Sequence, residues 1–192
     1  MIKIIAFDLV GVLVKETNIT LEEDLTKIER LFGPNKSDSE FIKQVKHIFP
    51  AKNEKSIVFD AKEIINKLYE PKITLNSLTH LKKKLNNISF VIATNHVSFI
   101  KDYILKTFGS NVFSSIYISA LMNEVKPETK FYQKLLEKLN IKPTELLFLD
   151  DNISNINGAT ALGIKTIHIS KEDNTISKIE EYFNMYSESN QL

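Results

Sequence analysis

Residues 2–14 read IKIIAFDLVGVLV, an apolar run that ends on Asp8 and passes at once into a Gly-containing loop. A strand end holds such an aspartate in place while the loop leaves its carboxylate open to a ligand, which is how a nucleophile is presented. The pattern returns further along. Thr94 and Asn95 close FVIATNHV, Lys126 lies in NEVKPET, and Asp150 with Asp151 closes LLFLDDN. Four polar endings on apolar runs in one chain predict a shared site.

Short runs rich in Ile, Val and Phe occur at residues 2–7, 88–93, 112–118, 146–149 and 164–169, separated by helix-like segments. Strand and helix in alternation predict an α/β fold, a parallel sheet with helices on both faces. In FYQKLLEKLN, residues 131–140, Phe131, Leu135, Leu136 and Leu139 fall on one stripe, and Pro127 precedes it as an N-terminal signal. This predicts a crossover helix. Residues 15–86 break the alternation. LEEDLTKIERLF, SEFIKQVKHIF, DAKEIINKLY and LNSLTHLKKKL each read as amphipathic helices, punctuated by Gly33-Pro34, Pro50 and Pro71. They predict an all-helical insertion after strand one. In an open parallel sheet, ligands bind beyond the carboxyl ends of the strands, where Asp8, Thr94 and the Asp pair converge. The insertion leaves from that edge and is placed to cover it. The C-terminal stretch begins as a helix and ends in a polar tail expected to fray.

With 192 residues, 43% of them hydrophobic, the chain can bury a core as one domain or as one domain with an insertion. Its 25 basic and 24 acidic side chains leave a net charge of +1, which gives no basic surface for nucleic acid. No apolar stretch reaches the roughly 18 residues of a membrane span, and Asp8 interrupts the first run too early for a signal peptide. A soluble, cytoplasmic protein is expected. The absence of cysteine excludes disulfides, thiol catalysis and thiolate metal sites.

Carboxylates gathered at Asp8, Asp150 and Asp151 repel one another unless a divalent cation neutralises them, and all-oxygen ligation favours Mg²⁺. A carboxylate nucleophile can attack phosphorus and divide a hydrolysis into two easier steps, while Lys126 supplies a compact positive charge. Thr94 offers a hydroxyl to phosphoryl oxygens. Each residue has a plainer role when taken alone. Asp8 and Thr94-Asn95 suit turns, Lys126 before Pro127 suits a solvated charge, and Asp150-Asp151 suits a cap for ISNINGATAL. Their order and common placement favour the site.

That order resembles the haloacid dehalogenase-like (HAD) hydrolase superfamily over almost the whole chain: FDLVGVLV is similar to motif I, ATN to motif II, VKPET to motif III and FLDDNISNINGA to motif IV. The resemblance implies a Rossmann-like core over residues 1–14 and 87–192, with a helical cap of the subfamily I kind over 15–86. It implies Asp8 as nucleophile and metal ligand, Thr94, Asn95 and Lys126 as phosphoryl-binding groups, and Asp150 and Asp151 as the rest of a Mg²⁺ site. Asn155 falls where many members carry a further acidic residue. Val10 is the departure. Family phosphatases usually have a second Asp there as general acid and base, and valine carries no proton, although its backbone carbonyl keeps the ligand that the family takes at this position.

The expected activity is therefore hydrolysis of a small phosphorylated metabolite through an aspartyl-phosphate, slowed by the missing acid. A non-catalytic relative that binds a phosphorylated ligand or a protein is the alternative. A haloacid dehalogenase is disfavoured by the acidic pair, and a phosphonate hydrolase by the lack of a singled-out cap lysine. His96, next to motif II, is a candidate substitute acid or a helix cap, and His47 on an inserted helix could meet substrate.

Overall fold

The computed structural model describes residues 1–33 and 35–189. Pro34, read above as punctuation, and the last three residues of the polar tail lie outside them. Five parallel strands form the central sheet: β1 (Ile4–Phe7), β4 (Ser89–Thr94), β5 (Ser115–Ile118), β6 (Leu146–Asp150) and β7 (Lys165–His168), in the spatial order β5-β4-β1-β6-β7. All five fall within or beside the apolar runs. The run at 112–118 is a strand only over its last four residues; Val112 and Phe113 pack into the core instead.

Side chains alternate across this sheet. Ile5, Phe7, Phe90, Ile92, Leu147 and Leu149 bury on one face, and Ile4, Ala6, Val91, Ala93, Leu146 and Phe148 on the other. Both faces are apolar because helices cover both, as a parallel sheet requires. Helices α7 (Thr129–Leu139) and α8 (Ile153–Thr160) sit on the second face. Helices α5 (Ile100–Phe108) and α9 (Thr175–Ser189) close the first. A four-residue turn, α6 (Ser119–Met122), follows β5.

The four amphipathic patterns between strands one and two form α1 (Glu23–Glu29), α2 (Asp38–Ile48), α3 (Glu54–Leu68) and α4 (Leu75–Lys84). In α3, Ile57, Ala61, Ile64, Ile65 and Leu68 bury as one stripe, and Asn53 starts the helix by accepting from the Ser56 N–H at 2.9 Å. Helices α1 and α2 pack on α3, and α3 packs on α5, while α4 packs on α9. The insertion is not helical throughout. Two three-residue strands, β2 (Val14–Glu16) and β3 (Tyr69–Pro71), pair antiparallel and form a ribbon at its base. Among the described residues no helix is long and apolar enough to cross a membrane.

Candidate active site

The register brings the carboxyl ends of the strands level. Phe7 pairs with Ile92 on one side and Leu149 on the other, so Asp8 emerges between Thr94 on β4 and Asp150 on β6. The Asp8 N–H donates to the Leu149 carbonyl at 2.8 Å, which fixes the backbone just where the sheet ends. Asp8, Asp150 and Asp151 each offer an oxygen within 4.8 Å of the others. Lys126 lies against them, 2% exposed, with Nζ 2.6 Å from Asp150 Oδ2 and 2.9 Å from Asp8 Oδ1.

Asn95 explains how that lysine is aimed. Its Nδ2 donates to the Lys126 carbonyl at 2.8 Å and its Oδ1 accepts from the Lys126 N–H at 2.9 Å, so the amide pins the backbone of the Lys126 loop to the end of β4. The following peptide, Lys126-Pro127, is cis. Asp150 is fully buried and saturated. Its Oδ1 accepts from the Asn152 N–H at 2.9 Å and from Asn155 Nδ2 at 3.0 Å, and its Oδ2 accepts from Asn155 at 3.1 Å and from Lys126. Asn155 is held in turn by Tyr132, whose hydroxyl donates to its carbonyl at 2.7 Å. The helix cap on α8 is Asn152, which accepts from the Ser154 N–H at 2.9 Å, and neither aspartate fills that role.

Asp8 and Asp151 differ from Asp150. Asp8 Oδ1 is buried and, despite its closeness to Lys126, lies off the line of any hydrogen bond. Burial raises the Asp8 carboxyl to about 7, against the pull of Lys126 and with the push of Asp150. Burial and Asp150 raise Asp151 as well. Burial alone would lower Lys126, but Asp8 and Asp150 more than reverse this and raise it. Three clustered carboxylates, two of them paired to a single ammonium, leave net negative charge that fits a hard divalent cation bound through oxygen. Gly11 makes room for one of them. Its φ is +83°, and a Cβ there would stand 2.2 Å from Asp151 Oδ2.

The histidines separate. His96 is buried, its Nδ1 near the Val97 carbonyl at 3.3 Å and its Nε2 near the Tyr69 hydroxyl at 3.3 Å, and it packs on the Phe32 ring at 5.1 Å. Burial lowers it to about 4, so it is neutral at physiological pH, and no side chain caps α5. His47 is exposed on α2. Motif reading misses the groups that dock the insertion here. Ser119 Oγ donates to the Asn35 carbonyl at 3.0 Å, Ser98 N–H and Oγ both donate to Asp38, and Lys36 Nζ sits 2.6 Å from Glu128. Serines and lysines on loops carry no sequence signal for such contacts.

A parallel sheet whose strand ends carry a carboxylate, a lysine and an acidic pair at the switch point defines a Rossmann-like α/β protein. The haloacid dehalogenase-like hydrolase family model matches residues 5–169, and the chain belongs to that family. Among curated relatives, the sesquiterpene phosphatase astK of Aspergillus oryzae is 32% identical over 59 residues, which is 31% of this chain and 30% of that protein. The (S)-2-haloacid dehalogenase 1 of a Pseudomonas strain is 37% identical over 57 residues, 30% of this chain and 23% of that one. Acyl-CoA dehydrogenase family member 10 of Mus musculus is 34% identical over 68 residues, 35% of this chain and 6% of that protein. The matches thus span 6% to 30% of the length of these relatives. Solved structures resemble the chain over far more of its length. The structure of a predicted HAD-like family hydrolase from Porphyromonas gingivalis has a TM-score of 0.73 at 20% identity, covering 95% of this chain and 98% of that one. A HAD family enzyme of Bacteroides thetaiotaomicron, solved with magnesium and inorganic phosphate, has a TM-score of 0.70 at 22% identity, covering 91% and 97%.

Proposed function

We propose that this chain is a Mg²⁺-dependent hydrolase of small phosphate esters that works through an aspartyl-phosphate on Asp8. The observation that carries the reading is the convergence of three carboxylates within 4.8 Å, two of them paired to one buried lysine. Asp8, Asp151 and the backbone carbonyl of Val10 are the proposed cation ligands. Asp150, whose oxygens are filled by protein donors, holds Lys126 in place and adds charge. A bound Mg²⁺ would offset the carboxylates and draw a phosphoryl oxygen toward Asp8.

The rest follows from this chain's own groups. Lys126, with Thr94 beside Asp8 at the end of β4, takes the phosphoryl oxygens and stabilises the charge that builds on them. An Asp8 oxygen attacks phosphorus, the ester P–O bond breaks, and the alcohol leaves with a proton taken from water. Water then attacks the phosphorus of the aspartyl-phosphate, releasing phosphate and restoring Asp8. Both proton transfers lack a positioned side chain. Val10 has none to give, and His96 is turned into the core and neutral. A missing general acid and base costs about 10²- to 10⁴-fold, least for esters whose leaving group is stable as an anion. Helices α1 to α3 would act as the cap that excludes water and selects the alcohol portion.

Val10 is also the one observation that favours a second reading, a phosphate-binding protein with no turnover. The test is hydrolysis of 4-nitrophenyl phosphate by the wild type, Val10→Asp and Asp8→Asn, each with Mg²⁺ and with EDTA. Mg²⁺-dependent turnover in the wild type that vanishes in Asp8→Asn is expected. An inactive wild type beside an active Val10→Asp would select the binding protein, and inactivity in all three would sink the hydrolase reading.

A further inference from the structure

The geometry points to Lys72 as a positioning residue for the cation site, acting through Gly11 on Asp151. This rests on the reading that Asp8 and Asp151 bind the cation. Lys72 directly follows β3, outside every motif that the sequence presents. Its N–H donates to the Leu13 carbonyl at 2.9 Å, which anchors it to the loop after the nucleophile. Its side chain then folds back along that loop, and Nζ donates to the Gly11 carbonyl at 3.0 Å and to the Ser170 carbonyl at 3.4 Å. One ammonium therefore ties the loop after β1 to the loop after β7.

Gly11 is the wall against which Asp151 rests, because the space its missing Cβ leaves is filled by the Asp151 carboxylate. The residue before it, Val10, carries the carbonyl proposed as a further ligand. A shift of the Gly11 peptide by a few tenths of an ångström thus moves one proposed ligand and frees the other. The opposite side of Asp151 is fixed at its backbone, where His168 Nε2 lies 2.9 Å from its carbonyl. Lys72, through Gly11, and His168, at the end of β7, brace the acidic residue, as outer groups commonly orient metal ligands.

Two effects of Lys72 have opposite signs, which makes the idea decisive to test. Its charge reaches the Asp151 carboxylate, and a positive charge there repels a cation, so removing it would tighten Mg²⁺ binding. Its hydrogen bonds fix the ligand geometry, so removing them would loosen binding. Lys72 is half-buried, so solvent screens the first effect, whereas losing an outer positioning group typically weakens metal binding about tenfold or more. Positioning should win.

The experiment is calorimetric titration of the full chain with Mg²⁺ alone, for the wild type, Lys72→Met, Lys72→Gln and Lys72→Arg, with thermal melts in EDTA. A Kd weakened about tenfold in Lys72→Met, and largely restored in Lys72→Arg, is the expected result. Lys72→Gln, which is too short to span both carbonyls, should weaken binding in the same direction and keeps the result readable if Lys72→Met does not fold. An unchanged or tighter Kd in the neutral variants overturns the proposal, even where the melts show a loss of stability. A wild type that binds no Mg²⁺ overturns the cation reading itself, and the inference falls with it.

Discussion

Burial sets the Asp8 carboxyl at about 7, above the 3.8 of an ordinary aspartate, so the folded, metal-free protein holds a proton that the unfolded chain releases. Stability from that proton is complete below pH 4 and is lost as pH rises through 7. A shift of three units corresponds to about 4 kcal/mol at most, since each unit is worth about 1.4. In EDTA, the wild type should lose melting temperature between pH 4 and 7 relative to Asp8→Asn, whose neutral amide has nothing to titrate. Asp8→Asn should then be the more stable protein at pH 8. Saturating Mg²⁺ should flatten the wild-type profile, because a cation favours the carboxylate. Parallel pH profiles for the two proteins in EDTA would count against burial as the cause. At this scale the sequence shows Asp8, Lys126 and the acidic pair as chemistry, but it does not divide the pair. Asp150 and Asp151 are adjacent and identical. What separates them is that Lys126, Asn152 and Asn155 fill the oxygens of one, while Gly11 leaves space beside the other.

At the scale of the element, α8 carries the acidic loop at its start and presses its middle against the Lys126 loop. A Cβ on Gly158 would stand 2.7 Å from the Pro127 carbonyl oxygen and 3.0 Å from the Tyr132 ring. Helix propensity favours Gly158→Ala by about 1 kcal/mol. Overpacking against a backbone carbonyl that cannot rotate away costs about 1 to 3 kcal/mol and wins. Gly158→Ala should therefore lower stability in urea unfolding and lower turnover with it, because Pro127 follows Lys126, the proposed phosphoryl-binding residue. A stabilised, fully active variant would show that the two elements have slack. The sequence displays α8 as a helix start after LLFLDDN, yet the contact is invisible in it, since Gly158 and Pro127 meet only once α7 and β6 are folded between them. The ribbon is hidden for a related reason. Strands of three residues, VKE and YEP, are too short to show a period of two, and their pairing joins Val14 to Pro71 across α1, α2 and α3.

For the whole molecule, the question is how the inserted helices are held against the sheet domain. Apolar residues of the insertion, among them Phe32, Phe41 and Ile57, share one buried cluster with Phe7 and Ile92 of the sheet, so the base of the insertion is fixed by packing. Its edge is fixed by polar contacts from residues 35 to 38. Asp38 accepts both the N–H and the hydroxyl of Ser98, next to the Thr94-Asn95 turn. Asp38→Ala should leave the cluster intact while opening this edge, so the Ser98 amide should exchange with solvent at least several-fold faster and the amides of β1 and β6 should be unchanged. Equal exchange at Ser98 would mean that packing alone holds the edge.

The sequence by itself determined the parallel sheet, its helical insertion and the identity of the chemical groups, because apolar periodicity and polar strand endings are local properties written in consecutive residues. It also exposed the gap at Val10, which no folding can fill with a proton. Only the tertiary structure decided which aspartate is saturated, which lysine reaches the Gly11 carbonyl and why His96 is neutral. Each of those outcomes depends on donors, walls and burial supplied by residues far away in the chain, and a buried charge takes its character from whatever surrounds it.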